Sequence, residues 1–354
     1  MRYAKPLQKG QTIGIVAPSF GCTTEPHITR LKTARDKWEK KGYHLRIGDC
    51  VYRSDGLGIS TDPRSAAEEL TKFYLDPDIS AMISAGGGEE MCETVGFTDF
   101  DMLKKAPPKW FMGFSDNTNF IFPLVTVADT AAVYGPNIGE FGKAWERSER
   151  DALGLMTGDV STVKGFSGFE GADAAQGYSA GGTSPDLRYE LTQKKVLHTF
   201  LPADSDLREA GRRESVQISG RLLGGCLDVL DNLVGTELDQ TQQFMNRYGP
   251  VIWVLEACDL RPLQIRRAMW HLSEAGWFDT AVGFLIGRPY AAFGREEMGV
   301  NQYNAVTDMV TQYHVPVIMD ADVGHIHPTM PLLMGSLAHL SVTGNEIQIE
   351  MERK

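Results

Sequence analysis

Between residues 12 and 134 short apolar runs alternate with segments of helical period, and that alternation limits the possible folds more than any other feature. Thr12-Ile13-Gly14-Ile15-Val16-Ala17-Pro18 is an apolar run stopped by proline, as expected of a buried strand that feeds a loop. Residues 25–41 then place Ile28, Leu31, Ala34 and Trp38 at helical spacing among Lys and Arg. Tyr43 to Ile47 predicts a second strand, and Ala66, Leu70 and Phe73 mark a second helix. Ile79 to Ala85 predicts a third strand that runs into Gly86-Gly87-Gly88. Trp110 to Phe114 is a fourth, followed at once by a helix through Phe120 and Leu124, and Ala131 to Tyr134 a fifth. Strands alternating with helices predict an α/β fold with a parallel sheet covered on both faces.

From Gly165 to Pro185 the pattern breaks down into Gly, Ser, Ala and Asp, which reads as an interdomain linker or mobile loop. Order resumes with a strand at Val216 to Gly220. Gly224-Gly225 is expected to open a helix carrying Leu227, Leu230 and Leu233. Pro250 to Leu255 predicts a buried strand, Arg261 to Gly276 an amphipathic helix, and Val282 to Ile286 and Val315 to Met319 further strands. Leu332 to Met351 reads as a terminal hairpin or small sheet. A chain of 354 residues divides most naturally into two domains. The expected boundaries are 1–165, a linker at 166–186, and 187–354.

The net charge of −11 disfavours nucleic acid as a partner. Five cysteines, far apart and without a CxxC pair, argue for reduced thiols rather than a disulfide framework or a zinc site. Residues 1–6 lack the apolar core of a signal peptide, and no apolar run approaches the ~20 residues of a membrane span. The expected location is therefore cytoplasmic, with no membrane partner.

Four segments carry candidate chemistry. In Gly113-Phe114-Ser115-Asp116-Asn117-Thr118 a serine stands between a strand and the start of a helix. A turn there lifts the hydroxyl off the sheet, and the helix N-terminus offers N–H groups to a developing oxyanion. The same position also suits a serine that only caps the helix. His325, in Gly324-His325-Ile326-His327-Pro328, sits on a loop after a strand end and can serve as base, as a solvated histidine, or with His327 as part of a metal site that lacks an evident third ligand. Glu256 ends the apolar run Val251 to Leu255, so it must find a partner or reach water; Asp259 competes with it as orienting acid. Gly86-Gly87-Gly88 can aim backbone N–H groups into a site without obstruction by a Cβ. It lacks the residues of a phosphate-binding loop, and Glu89 and Glu90 beside it would repel phosphate. Together these supply nucleophile, base, orienting acid and oxyanion donors. Arg221, Arg261 and Arg288 are candidates to hold a substrate carboxylate.

These segments, with Ile13 to Ser19, Gly220, Leu223-Gly224-Gly225-Cys226-Leu227, Leu255-Glu256, Pro331 and Gly335, resemble the LD-carboxypeptidase family of serine peptidases, which includes murein tetrapeptide LD-carboxypeptidases and microcin C immunity peptidases. The resemblance runs in order through nearly the whole chain. It implies an N-terminal flavodoxin-like α/β domain carrying Ser115 as nucleophile and a C-terminal mixed α/β domain carrying Glu256 and His325. It implies an oxyanion hole from Gly88 and Asp116 with Gly87 beside them, no metal or other cofactor, a homodimer, and a small peptide or muropeptide substrate. The carboxypeptidase branch releases the terminal D-alanine from murein tetrapeptides in cell-wall recycling. The immunity branch hydrolyses aminoacyl-nucleotide or acyl-sulfamate analogues. Cys226 stands where many relatives have Asn. The chain also has no Trp between Trp145 and Trp253, where the immunity branch places base-stacking aromatics. A non-catalytic small-molecule binding protein is the alternative of another class. A glutamine amidotransferase would need a cysteine where Ser115 stands.

Overall fold

The computed structural model describes residues 1–171, 182–204, 206–211 and 213–354. The described residues divide into two units: 1–161 with 182–188 and 331–335, and 162–171 with those described between 189 and 330 and 336–354. Of the glycine-rich stretch 166–186, residues 172–181 lie outside the described residues.

The first unit is built on a six-stranded sheet. Its order is Leu332–Met334, Ala132–Tyr134, Trp110–Gly113, Ile79–Ser84, Thr12–Val16, His44–Ile47. Five of these strands are parallel, as the alternating pattern predicts. The sixth, Leu332–Met334, pairs antiparallel with Ala132–Tyr134. That segment was expected in a terminal hairpin. Its three apolar residues, all buried, instead complete the sheet that begins at Thr12, beside Ala132–Tyr134. Helix His27–Lys40 buries Leu31, Ala34 and Trp38, whereas Ile28 faces solvent and Arg30 takes the inward position. Gly86-Gly87-Gly88 and Ser115 follow the C-terminal ends of parallel strands of this sheet, where such sheets place their sites.

The second unit holds a nine-stranded mixed sheet. Its parallel centre comprises Val317–Ala321, Ala281–Gly287, Val251–Glu256 and the end of Ser215–Cys226. Antiparallel flanks come from His198–Ala203 and Asp206–Glu209 on one side and from Leu337–Thr343, Glu346–Glu352 and Thr162–Lys164 on the other. The hairpin 337–352 fulfils the expected terminal pair. The expected helix start at Gly224-Gly225 does not hold: the strand runs on to Cys226, and the helix begins at Leu227. Gly224 has φ +138°, and a Cβ there would lie 1.9 Å from the Val254 carbonyl oxygen. The glycine is there for close approach of two parallel strands, not as a helix signal. Among the described residues no helix is long and apolar enough to cross a membrane.

Candidate active site

Strand Trp110–Gly113 delivers Ser115 to a sharp turn. Ser115 has φ +65°, a left-handed conformation that costs a serine on the order of 1–3 kcal/mol. Strain of this kind persists where the surroundings hold it, and here they do. The Ser115 N–H donates to the Tyr134 hydroxyl at 3.1 Å. The next residue, Asp116, is 2% exposed, and its carboxylate accepts from Ser19 Oγ at 2.5 Å, the Met91 N–H at 3.0 Å and Asn119 Nδ2 at 2.8 Å. Burial pushes the Asp116 carboxyl up, opposed by these hydrogen bonds. Asn117 Nδ2 donates to the Gly86 carbonyl at 2.9 Å, tying the turn to the triple glycine. Gly87 passes so close that a Cβ on it would stand 3.2 Å from Ser115 Oγ. Among the described residues, no acceptor takes the N–H groups of Gly87, Gly88 or Asp116. The turn, the glycines and Asp116 form one braced constellation around Ser115.

In the second unit, Glu256 ends its strand with 2% exposure, and it has found its partner. His325 Nδ1 lies 2.7 Å from Glu256 Oε2. Gly324 makes this approach possible. Its φ is +101°, and a Cβ there would meet Glu256 Oε2 at 2.5 Å. Burial favours the neutral imidazole, but the Glu256 carboxylate and the neighbouring Cys258 thiol outweigh it. His325 therefore holds its proton well above the ordinary 6.5. Burial in turn pushes the Cys258 thiol up, with His325 opposing.

Two supports were not visible in the sequence. Asp228 accepts the backbone N–H groups of Cys258, Asp259 and Leu260 at 3.0, 2.9 and 3.2 Å, pinning the turn that follows Glu256. The competitor Asp259 donates its amide N–H to Asp228, and its carboxylate is one of the charges that raise the Cys258 thiol. Asp322, three residues before His325, is wholly buried. It accepts from Arg288 Nη2 at 2.6 Å and from the Phe166 N–H at 2.8 Å, with Lys195 Nζ at 3.4 Å. Asp322→Ala strands two buried cations, so it should cost about 3–5 kcal/mol of stability in chemical denaturation; a loss below about 1 kcal/mol would show that the cluster is not bracing the loop.

The structure also sorts the arginines proposed for a substrate carboxylate. Arg288 is spent on Asp322 and the Asp320 carbonyl and stacks over Phe169 at 4.3 Å. Arg221 pairs in register with Val251, at the opposite end of the strand from Glu256. Arg261 is well exposed, 3.8 Å from Glu297, just before helix Pro262–Glu274. His327 stacks on Tyr189 with ring centroids 5.4 Å apart. Among the described residues no group of three or more His, Cys, Asp or Glu could hold a metal ion.

Comparison with known proteins bears on both units. Residues 13–135 match the LD-carboxypeptidase N-terminal domain, and residues 219–340 match the LD-carboxypeptidase C-terminal domain. The chain belongs to the LD-carboxypeptidase family. Membership makes it a serine carboxypeptidase-type hydrolase. Similar members include the microcin C7 self-immunity protein MccF of Escherichia coli, 22% identical over 98% of this chain and 95% of that one. Another is a probable murein peptide carboxypeptidase of Bacillus subtilis, 22% identical over 98% of this chain and 93% of its own. Among solved structures, MccF in complex with glutamyl sulfamoyl guanosine shares the fold with TM-score 0.78 at 19% identity, covering 99% of this chain and 98% of that one. An MccF-like protein from Bacillus anthracis gives TM-score 0.74 at 18% identity, covering 99% of this chain and all of that one.

Proposed function

We propose that this family member is a cytoplasmic, homodimeric LD-carboxypeptidase that uses Ser115, His325 and Glu256 as a catalytic triad to release terminal D-alanine from murein tetrapeptides. The observation that carries the triad is the 2.7 Å contact between His325 Nδ1 and a buried carboxylate on a strand end. A carboxylate placed there accepts the Nδ1 proton, fixes the tautomer and leaves Nε2 to act as base. His325 removes the Ser115 proton as Oγ attacks the scissile carbonyl. The Gly88 and Asp116 N–H groups, with Gly87 alongside, receive the oxyanion, each donor being worth about 3 kcal/mol. The imidazolium then protonates the leaving amine, and water, deprotonated by the same ring, frees the acyl group. The left-handed Ser115 and its braced turn support the role of nucleophile. No step calls on a metal or other cofactor.

Mass spectrometry of products from a panel of muropeptides tests the substrate. Wild type should remove one alanine from tetrapeptides only, and Ser115→Ala should remove none. Intact tetrapeptide in both would overturn the assignment. Because the chain is as similar to MccF as to the murein enzyme, an aminoacyl sulfamoyl nucleoside belongs in the same assay. Its preferential cleavage would assign the protein to the immunity branch.

A further inference from the structure

Beside the Ser115 turn the first unit holds an open pocket of about 430 Å3, within the range of small-ligand sites. Its walls come from three segments: Phe20 to His27 after the first strand, Arg53 to Ser60, and Ala85-Gly86-Gly87. Backbone bonds preform it. Phe20 N–H donates to the Gly87 carbonyl at 3.0 Å, Cys22 N–H to Val51 at 2.7 Å, and Ser60 N–H to Ser19 at 2.7 Å. Gly87, part of this lining, has a Cβ position that would lie 3.2 Å from Ser115 Oγ. The lining holds hydroxyls from Thr23, Thr24 and Ser54, and two basic side chains, His27 and Arg53; the Ser60 hydroxyl is buried and donates to the Ala17 carbonyl at 2.6 Å. Burial and nearby Arg30 hold His27 below its ordinary value, so Arg53 is the cation of the lining at neutral pH.

Arg53 is about half exposed, and its guanidinium makes a 3.1 Å bond from Nη2 to Asp55, which lies outside the lining and is itself more than half exposed. Exposed pairs of this kind contribute little, so a ligand carboxylate can displace or share it. The guanidinium presents a planar fork of donors matched to a carboxylate. One such cation among neutral hydroxyls suits a monoanion and is poorly suited to a polyphosphate.

We propose that this pocket binds the carboxylate-terminated end of the substrate and that Arg53 is the residue that makes the enzyme a carboxypeptidase. This rests on the carboxypeptidase reading of Ser115. Acetyl-lysyl-D-alanine and its C-terminal amide are suitable probes, compared in wild type, Arg53→Met and Arg261→Met. Wild type should prefer the acid by about 30-fold or more in kcat/KM, mostly through KM. Arg53→Met should bring that ratio to within about threefold of unity, the change expected from losing about 2 kcal/mol of charge-assisted hydrogen bonding. Arg53→Lys should recover part of it.

Calorimetric binding of the same pair to Ser115→Ala separates this inference from the reading beneath it. If wild type cleaves neither probe but Ser115→Ala binds the acid in preference and Arg53→Met/Ser115→Ala does not, the pocket stands and the cleavage assignment falls. If the acid-to-amide ratio survives Arg53→Met, or collapses in Arg261→Met instead, the inference is overturned.

Discussion

Ser115→Ala should lower kcat by about 10^4-fold or more while leaving substrate binding largely in place. The argument rests on what the change removes and what it spares. The Oγ lost is the atom on which the acyl-enzyme would form. The turn is held by the Tyr134 hydroxyl on the Ser115 N–H, by Asp116 and by Asn117, and none of these contacts uses the serine hydroxyl. Alanine at φ +65° carries strain similar to that of serine. The variant should therefore fold and still bind muropeptide. Steady-state assays together with calorimetry check both halves; activity within about tenfold of wild type would remove Ser115 from the mechanism.

Glu256→Gln should lower kcat by about 10^2–10^4-fold and move the acidic limb of the pH profile. A base acts only when deprotonated, so activity in the wild type should rise as pH climbs through the elevated His325 value. The carboxylate helps keep that value above 6.5, against burial. With glutamine in its place burial gains the upper hand, and the limb should shift to lower pH even as the maximum falls. The sign for stability follows from the same linkage. Because the folded-state value is raised, the pair's contribution is fully present below the unfolded value of about 6.5 and is lost as pH rises through the folded one. A profile of kcat/KM against pH decides the matter: an unmoved limb would mean that Glu256 does not govern the imidazole.

The parallel core of both units was legible because each strand is a short apolar run of the right length between turn signals, as at Ile79–Ser84 and Val251–Glu256. Glu256 was legible for a related reason: an acid ending so apolar a run has few ways to avoid being buried alone. The edges were less legible. Asp206–Glu209 at the sheet edge and its neighbour His198–Ala203 are largely solvent-facing strands with little apolar signal, and neither was expected. Leu332–Met334 carries the right composition, but no local pattern says which sheet it joins. The supports of the site depend on distance in sequence. Asp322 reads as a loop acid until Lys195 and Arg288 arrive from 127 and 34 residues away. Asp228 reads as a helix residue until it takes up the amides of 258–260. Arg53 carries no motif, and its meaning comes from the pocket that three separate segments assemble.

The central claim is that His325, oriented by Glu256, activates Ser115 for acylation. Labelling with a fluorophosphonate, followed by peptide mapping, tests it most directly. A single phosphonyl adduct is predicted on the peptide containing Ser115, with labelling slowed at least about 10^2-fold in His325→Ala. An adduct on another residue, or equal labelling rates with and without the imidazole, would contradict the account.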